Sequence, residues 1–319
     1  MSDLQLSVVN TGAFSLDGGA MLGRVPKTLW EKQMPADSRN RIKMTMRCLL
    51  ARWKDESGKS RALLVDNGAG DKWNDKQKDI YAFQPNANAW RDANAKPEDI
   101  TDVLLTHLHF DHCGGSTKWE QRGDGEMGKW GSGNPNPPTP HPPNSAPQYP
   151  NTPTPHSVIP AFPNAQYYIG REHRAYVKHP SLLDRASFMP ENYEPLEKLG
   201  RVTLIEPPTS PWPHIQLLQF FGHTRGIILP LINVGDKIIL FAGDLMPTRL
   251  HVRLAWIMGY DLSADETLGE KSSVLELAAE NKWGIFFEHD FDTELVTVKR
   301  EREDFAIEKT WKLEAFLRS

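Results

Sequence analysis

The sequence predicts an α/β protein built from two mixed β-sheets that pack face to face, with helices on the outside. Two observations predict this class. Many short β-type runs, mostly bounded by Gly, Asp, Asn or Pro, dominate the chain, and they fall into two groups that are each followed by helical patterns. A chain of 319 residues, 39% of them hydrophobic, is long enough to bury the core that such a sandwich needs.

The individual elements follow from local patterns. Strands are predicted at residues 4–9, 44–53, 62–65, 103–105, 166–169, 202–205, 215–221, 227–232, 237–241, 285–287 and 295–298. Helices are predicted at residues 71–79, 171–178, 265–282 and about 302–317. The third helix has the clearest signals, because Ser263 and Glu266 form a capping-box pattern and Val274 and Ala278 belong to an apolar stripe.

One segment interrupts this pattern. Twelve of the 25 prolines lie between Pro135 and Pro163, and because proline has no amide N–H donor, such a run forms neither a helix nor a sheet ladder. We therefore predict a single domain, residues 1–319, that carries a proline-rich insert at about residues 121–163. Two interpretations of the insert stay open, a lid near the functional site and a tolerated surface extension.

The charge balance argues against several classes of partner. Lys and Arg together number 37 against 41 Asp and Glu, a formal net charge of −4, so neither nucleic acid nor an anionic membrane is a predicted partner. The first residues lack the basic and apolar regions of a secretory signal, and the longest apolar stretch, 227–232, is too short to span a bilayer. We expect a cytoplasmic protein. Cys48 and Cys113 alone make no disulfide framework.

The most informative segment is 107–112, with the sequence HLHFDH, directly after a predicted strand. Alternate residues of an extended chain point the same way, so His107 and His109 can bind one ion while Asp111 and His112, on the following turn, reach a second. Imidazole and carboxylate ligands together favour Zn²⁺ or a similar first-row ion such as Mn, Fe or Co. The alternative is a hydrogen-bonded turn that holds no metal.

This motif and the order of strands around it resemble the metallo-β-lactamase-fold hydrolases. In that family a further His, a bridging Asp and a last His each follow a later strand, and His223, Asp244 and His289 match those positions. The resemblance implies an αββα sandwich with two divalent metal ions per chain. The implied ligands are His107, His109 and His223 for one ion, Asp111, His112 and His289 for the other, and Asp244 between both.

Asp66 ends a predicted strand and matches an acidic position of the superfamily. A neutral His ligand needs an acceptor at its second ring nitrogen, and Asp66 is the predicted acceptor; an Asp-Asn-Gly turn is the alternative. Two ions make hydroxide available near neutral pH and polarise the bond under attack. We therefore predict a hydrolase in which a bridging hydroxide attacks a carbonyl. Asp244 and Asp111 are the predicted catalytic residues, and Asp244 could receive or relay the released proton.

Segments 12–23 and 243–248 resemble the branch of this superfamily that contains quorum-quenching N-acyl homoserine lactonases. This resemblance implies an ester or lactone substrate. In that branch the N-terminal loop lies near the metal cleft and often near a subunit interface, which suggests a homodimer. Met21 and Leu22 would form an adaptable apolar wall for an acyl chain. The alternative is a glycine-rich hairpin packed on the core.

The chain departs from lactonases of a neighbouring branch, which carry a tyrosine shortly after the bridging aspartate. Residues 245–248 contain none, and His251 and Tyr260 are the candidate substrate-binding residues in the segment that follows. A dinuclear hydrolase is thus predicted more firmly than any one substrate. The alternatives are hydrolysis of a phosphotriester, a thioester or a β-lactam at the same site, and a metal-binding protein without catalysis.

Overall fold

The computed structural model describes residues 4–120 and 157–319. The strands are β1 (Gln5–Asp17), β2 (Arg41–Lys54), β3 (Ser60–Val65), β4 (Gln84–Pro85), β5 (Asp102–Leu105), β6 (Thr117–Trp119), β7 (Val158–Pro160), β8 (Gln166–Gly170), β9 (Val202–Ile205), β10 (Ile215–Phe220), β11 (Ile227–Val234), β12 (Lys237–Phe241), β13 (Gly284–Phe286), β14 (Leu295–Glu301) and β15 (Asp304–Trp311). The helices are α1 (Gly18–Leu22), α2 (Lys27–Trp30), α3 (Asp75–Tyr81), α4 (Ala89–Asp92), α5 (Phe110–Cys113), α6 (Arg171–Val177), α7 (Glu194–Lys198), α8 (Ala264–Asn281) and α9 (Leu313–Leu317). None of these helices is long and apolar enough to cross a membrane.

Two large sheets organise the described residues. One has seven strands in the order β4-β1-β2-β3-β5-β8-β9, and the other has six in the order β10-β11-β12-β13-β14-β15. In the first sheet β3, β5, β8 and β9 run parallel, whereas β1 and β2 are antiparallel. In the second sheet β12 and β13 are parallel, and β10, β11 and β12 alternate in direction. Both sheets are therefore mixed, as predicted.

Side-chain alternation along the strands divides the core into layers. Leu49 of β2 and Phe241 of β12 belong to the apolar cluster between the two sheets. Leu50, the next residue of β2, points to the opposite face and joins a cluster that includes Leu196 of α7. On the far side of the second sheet, Val274 of α8 packs in a third cluster. This helix, sheet, sheet, helix order confirms the predicted αββα sandwich.

The predicted strands and the first three predicted helices each have an observed counterpart, but the predicted helix at about 302–317 is wrong. Residues 304–311 form β15, which pairs antiparallel with β14, and within that region only Leu313–Leu317 is helical. Phe305 and Ile307 both pack on the apolar cluster beneath α8, which is the two-residue period of a strand. Pairing with β14 therefore outweighs the local helical pattern.

The predicted proline-rich insert lies mostly outside the described residues, which stop at 120 and resume at 157. On either side of that gap the chain forms a small antiparallel ribbon, in which β6 pairs with β7 and Lys118 lies opposite Ile159. Residues 158–160, near the end of the predicted insert, are therefore part of a defined strand pair rather than of an irregular loop.

Candidate metal centre

The predicted ligands follow the carboxyl ends of strands that meet at one edge of the sandwich. Parallel strands end at the same edge, and β3 with β5, and β12 with β13, are such pairs. β10 runs in the same direction as β12, because both are antiparallel to β11. The residues that follow these ends are Asp66 after β3, His107 and His109 after β5, Asp111 and His112 on α5, His223 after β10, Asp244 after β12 and His289 after β13.

The structure brings all seven predicted metal ligands together in two sets. The first ligand group is His107, His109 and His223 with Asp244, and the second ligand group is Asp111, His112 and His289; within each, one ligand atom per residue lies within 4.8 Å of the others. Asp244 also reaches the second group. Its Oδ2 lies 3.2 Å from His223 Nε2 and 3.4 Å from His112 Nε2, and its Oδ1 lies 3.3 Å from His289 Nε2.

In the second ligand group, both imidazoles are held by an acceptor at the nitrogen that faces away from the group. His112 Nδ1 lies 3.0 Å from Asp66 Oδ2, the contact that the sequence predicts for Asp66. The same nitrogen lies 3.0 Å from Glu288 Oε2. His289 Nδ1 lies 2.8 Å from the Thr45 carbonyl oxygen. These contacts place a ring proton on Nδ1 of both residues and direct Nε2 toward the group, where it can bind a cation.

In the first ligand group only two of the three imidazoles have an acceptor at the outward ring nitrogen among the described residues. His223 Nδ1 lies 2.8 Å from Asp261 Oδ1, and His107 Nδ1 lies 3.0 Å from Thr106 Oγ1. His109 is turned the other way, with Nδ1 toward the group. Its Nε2 is buried and has no hydrogen-bond partner within residues 4–120 and 157–319, and Asp184 Oδ2 lies 3.9 Å from it.

The ligand nitrogens have the spacing that a bound cation requires. His112 Nε2 and His289 Nε2 are 3.2 Å apart, and His109 Nδ1 lies 3.0 Å from His107 Nε2 and 3.2 Å from His223 Nε2. Ring nitrogens that face each other at such distances share either a proton or a bound cation. Zn–N bonds of about 2.0–2.1 Å in tetrahedral geometry place ligand nitrogens about 3.3 Å apart. The residues present therefore fit divalent metal ions.

The charges of the site also favour a bound cation. Burial alone would lower the pKa of His223 and of His289, but the Asp244 carboxylate outweighs burial and raises these values to about 10 and about 9. Burial dominates at His107, whose pKa lies well below its ordinary value. Asp244 Oδ1 is buried, and no residue in the described part of the chain donates a hydrogen bond to it. Asp244 therefore stabilises positive charge among these imidazoles.

A cavity of about 110 Å³ lies against both ligand groups, with Asp111 and Asp244 in its polar wall. Met21, Met44 and Met258 contribute to its apolar wall. This cavity is the space in which a small substrate could meet the ligand groups.

Two of the four predicted substrate-binding residues line this cavity. Met21 is one, and Tyr260, whose side chain is 42% exposed, is the other. Leu22 is fully buried in the apolar cluster beside the cavity instead. His251 is also buried; its Nε2 lies 2.9 Å from the Met21 carbonyl oxygen and its Nδ1 lies 2.8 Å from Thr248 Oγ1. The structure therefore gives His251 contacts with protein atoms rather than with the cavity.

Three buried carboxylates of the site were not predicted. Asp184 and Asp261 lie in loops with no strand before them, so no local pattern identifies them. Glu288 directly precedes His289, and its Oε2 lies 3.0 Å from His112 Nδ1. A charged residue between the apolar run of β13 and a predicted ligand is the signal that could have identified Glu288.

Comparison with known proteins supports the assignment of the fold. Residues 53–126 match the family model of the metallo-beta-lactamase superfamily. Among solved structures, the chain is similar to a probable metal-dependent hydrolase from Staphylococcus aureus, with 23% sequence identity, a TM-score of 0.76 and 97% of each chain covered. The chain has the metallo-β-lactamase fold. A comparison with curated protein sequences gave no match.

Two further solved structures are similar over nearly the whole chain. One is the hydrolase AbOPH of the β-lactamase superfamily, with 15% identity, a TM-score of 0.69, and 96% of this chain and 94% of that chain covered. The other is AidC, a dizinc quorum-quenching lactonase in complex with the product N-hexanoyl-L-homoserine, with 17% identity, a TM-score of 0.66, and 98% and 96% covered. These findings confirm the predicted fold and the predicted resemblance to the superfamily and its lactonase branch. They also agree with the prediction of a metal-dependent hydrolase.

Proposed function

We propose that this chain is a hydrolase that binds two divalent metal ions, with Zn²⁺ as the expected ion, and cleaves esters or lactones. An N-acyl homoserine lactone is the first substrate to test. The observation that carries the proposal is the pair of ligand groups that share Asp244 beside a cavity with an apolar wall. When bound, such ions supply hydroxide near neutral pH and polarise the carbonyl under attack.

The proposed ligands divide as the sequence resemblance implies. The donor set is rich in imidazole, which favours Zn²⁺ over the harder cations that prefer oxygen alone. The ligands are His107, His109 and His223 for one ion, Asp111, His112 and His289 for the other, and Asp244 for both. Mn, Fe or Co at the same positions would keep the proposal and change only the identity of the ion.

Two carboxylates are available for the reaction itself. Asp244 and Asp111 both line the cavity, so both can reach a reacting group. Asp244 Oδ1 is buried and has no hydrogen-bond donor among the described residues, and we assign to it the proton released in the cavity. Asp111 Oδ2 lies 3.7 Å from His289 Nε2, which keeps this carboxylate beside the second ligand group.

The walls of the cavity favour a substrate with an apolar part. Met21, Met44 and Met258 are flexible, polarisable side chains that can adapt to an acyl chain. The Tyr260 side chain also lines the cavity, where its hydroxyl could donate a hydrogen bond to a lactone or ester oxygen. The similarity to a lactonase that holds its acyl product supports this choice of substrate.

Metal analysis of the purified protein, combined with a substrate panel, tests the proposal. We expect two ions per chain and the highest kcat/KM on an N-acyl homoserine lactone, compared with an aryl ester, a thioester, a phosphotriester and a β-lactam. Fewer than two ions in a folded preparation would rule out the dinuclear centre. Two ions with no turnover of any substrate would favour a metal-binding protein without catalysis, and another preferred substrate would change the substrate class alone.

We also propose that residues 1–319 form one domain, because the ligands at 107–112 precede the predicted insert and His223 to His289 follow it. The resemblance of segment 12–23 to lactonases with an interface at this loop supports a homodimer. Light scattering coupled to size-exclusion chromatography distinguishes a dimer from a monomer of 36.1 kDa.

A further inference from the structure

His109 is the one proposed His ligand whose outward ring nitrogen lacks an acceptor in the described residues. Its Nδ1 faces the first ligand group, 3.0 Å from His107 Nε2 and 3.2 Å from His223 Nε2. If Nδ1 uses its lone pair to bind a cation, the ring proton lies on Nε2. That N–H is buried, so it needs an acceptor from the protein.

Asp184 is the carboxylate closest to meeting this need. It is buried, with 4% of its surface exposed, and its Oδ2 lies 3.9 Å from His109 Nε2. The Phe188 ring packs against the His109 ring with the centroids 4.8 Å apart, and its apolar side chain cannot accept the proton. Among the described residues, Asp184 is the carboxylate within 4 Å of this nitrogen.

Two hydroxyl groups hold the Asp184 side chain in place. Tyr176 of α6 donates to Oδ1 at 2.7 Å, and Thr224, the residue after His223, donates to Oδ2 at 3.0 Å. A carboxylate oxygen can accept two hydrogen bonds, so Oδ2 keeps a place for one more donor. Asp184 thereby connects α6, the segment that carries His223, and the ring of His109.

We propose that Asp184 is a positioning residue for His109, whose Nε2–H it accepts so that Nδ1 points into the first ligand group. This inference rests on the metal centre proposed above. A relative movement of about 1 Å brings the two atoms from 3.9 Å to an ordinary hydrogen-bond distance. The negative charge on Asp184 also makes the His109 imidazole a more basic ligand, as outer carboxylates do for other metal-binding histidines.

Metal titration of the full chain tests the inference without reference to turnover. Metal-free protein is titrated with Co²⁺, and binding is followed by visible absorbance and by calorimetry. We expect two binding events in the wild type. Asp184→Ala should weaken the event at the first ligand group about 10–100-fold and leave the second within about twofold. Asp184→Asn, which keeps an oxygen acceptor, should restore part of that loss.

A spectroscopic measurement separates this role from a general loss of packing. In the Zn²⁺-loaded protein labelled with ¹⁵N-histidine, the His109 Nε2 proton should exchange slowly in the wild type and rapidly in Asp184→Ala. Tyr176→Phe removes only the hydroxyl that holds the carboxylate, and it serves as the second variant if Asp184→Ala does not fold. It should weaken the first binding event by a smaller factor and speed the same exchange.

The outcomes distinguish this inference from the proposed function. A wild-type protein that binds fewer than two Co²⁺ ions overturns the metal centre and the inference together. A wild type that binds two ions, with Asp184→Ala and Tyr176→Phe each within twofold of it at the first ligand group and with unchanged His109 proton exchange, overturns the inference alone.

Discussion

The two ligand groups differ in the elements that hold their imidazole rings. In the second ligand group every acceptor lies in or just after a strand: Asp66 follows β3, the Thr45 carbonyl belongs to β2, and Glu288 lies just after β13. In the first ligand group only Thr106, the acceptor of His107, follows a strand, β5. In the first ligand group the acceptor of His223 is Asp261, which lies in the loop before α8. The carboxylate beside His109 is Asp184, in the loop between α6 and α7.

This difference means that the second ligand group is held from strand ends, whereas two of the three imidazoles of the first, His109 and His223, depend on loop packing. The loop that carries Asp261 is fixed mainly by backbone contacts. Lys271 of α8 donates to three of its carbonyl oxygens, and the Gly259 amide donates to the Ala20 carbonyl at 2.7 Å. We therefore expect metal binding at the first ligand group to respond to changes in loops, and binding at the second to tolerate them.

The largest effect is expected where the two groups meet. Asp244→Asn keeps the shape of the side chain but removes the charge that both groups share. The loss in kcat/KM should exceed about 100-fold, the upper end for residues that act only through a ligand, and the protein should retain fewer than two ions. Elemental analysis and steady-state kinetics measure both quantities. Asp292→Asn, at a 68% exposed side chain, is the control. Full activity in Asp244→Asn would remove Asp244 from the mechanism.

A pair of variants separates the two groups from each other. Asp66→Asn weakens the hold on His112, and Asp261→Asn weakens the hold on His223. Each change should reduce affinity about 10–100-fold at its own group. Asp66→Asn should also reduce affinity at the first group by a smaller factor, because Asp66 accepts from the Thr106 hydroxyl that contacts His107. Asn tolerates the positive φ of 55° at position 66, so the backbone there is preserved. Co²⁺ titration of both variants measures the two affinities.

Each of these two variants is the control for the other, since both replace a buried aspartate with asparagine behind a proposed ligand. Loss of the same ion in both would mean that the two groups do not act as separate sites. The proposed difference between the second ligand group, held by strands, and the first, held largely by loops, would then be wrong. The proposal of a dinuclear centre would not be affected.

For the second ligand group the sequence predicts one of the acceptors behind the imidazoles, Asp66. For the first ligand group it predicts none, and the reason is physical. Asp66 and the proposed ligands follow apolar runs, so a local pattern identifies both the strand and the residue at its end. Asp184 and Asp261 lie in loops whose positions depend on distant partners such as Lys271, and no local pattern reports such contacts. The predicted helix at 302–317 is wrong for the same reason, because pairing with a neighbouring strand decides its structure.

Lys271 allows a test of how far the first ligand group depends on the loop that carries Asp261. Its ammonium group is fully buried and lies 2.8–3.3 Å from the carbonyl oxygens of Arg253, Leu254 and Trp256. Lys271→Met leaves these acceptors without a donor, which should lower the free energy of unfolding by about 1–3 kcal/mol. Affinity at the first ligand group should fall more than at the second. Urea denaturation and Co²⁺ titration measure the two effects, with Lys299→Met at an exposed lysine as the control.

The lowered pKa of Lys271 predicts that the free energy of unfolding depends on pH. Burial lowers the pKa of Lys271 to about 7 in the folded protein, whereas an unfolded lysine titrates near about 10.4. Between these values the unfolded state binds more protons, so the stability of the wild type should rise with pH relative to Lys271→Met. The slope should not exceed about 1.4 kcal/mol per pH unit. A difference between the two proteins that falls from pH 7 to pH 10 would contradict this sign.

The smallest effect is expected at the cavity wall that the Asp261 loop supplies. Tyr260→Phe removes one hydroxyl from a 42% exposed side chain next to Asp261 and leaves the apolar ring in place. If the hydroxyl donates to a lactone oxygen, its loss costs about 1 kcal/mol, or about fivefold in kcat/KM, with no change in metal content. Tyr168→Phe, in β8 and packed on Trp212 away from the cavity, is the control. Equal kcat/KM for Tyr260→Phe and the wild type on every cleaved substrate would contradict this role. The loop that carries Asp261 would then act on the site only through the contact between Asp261 and His223.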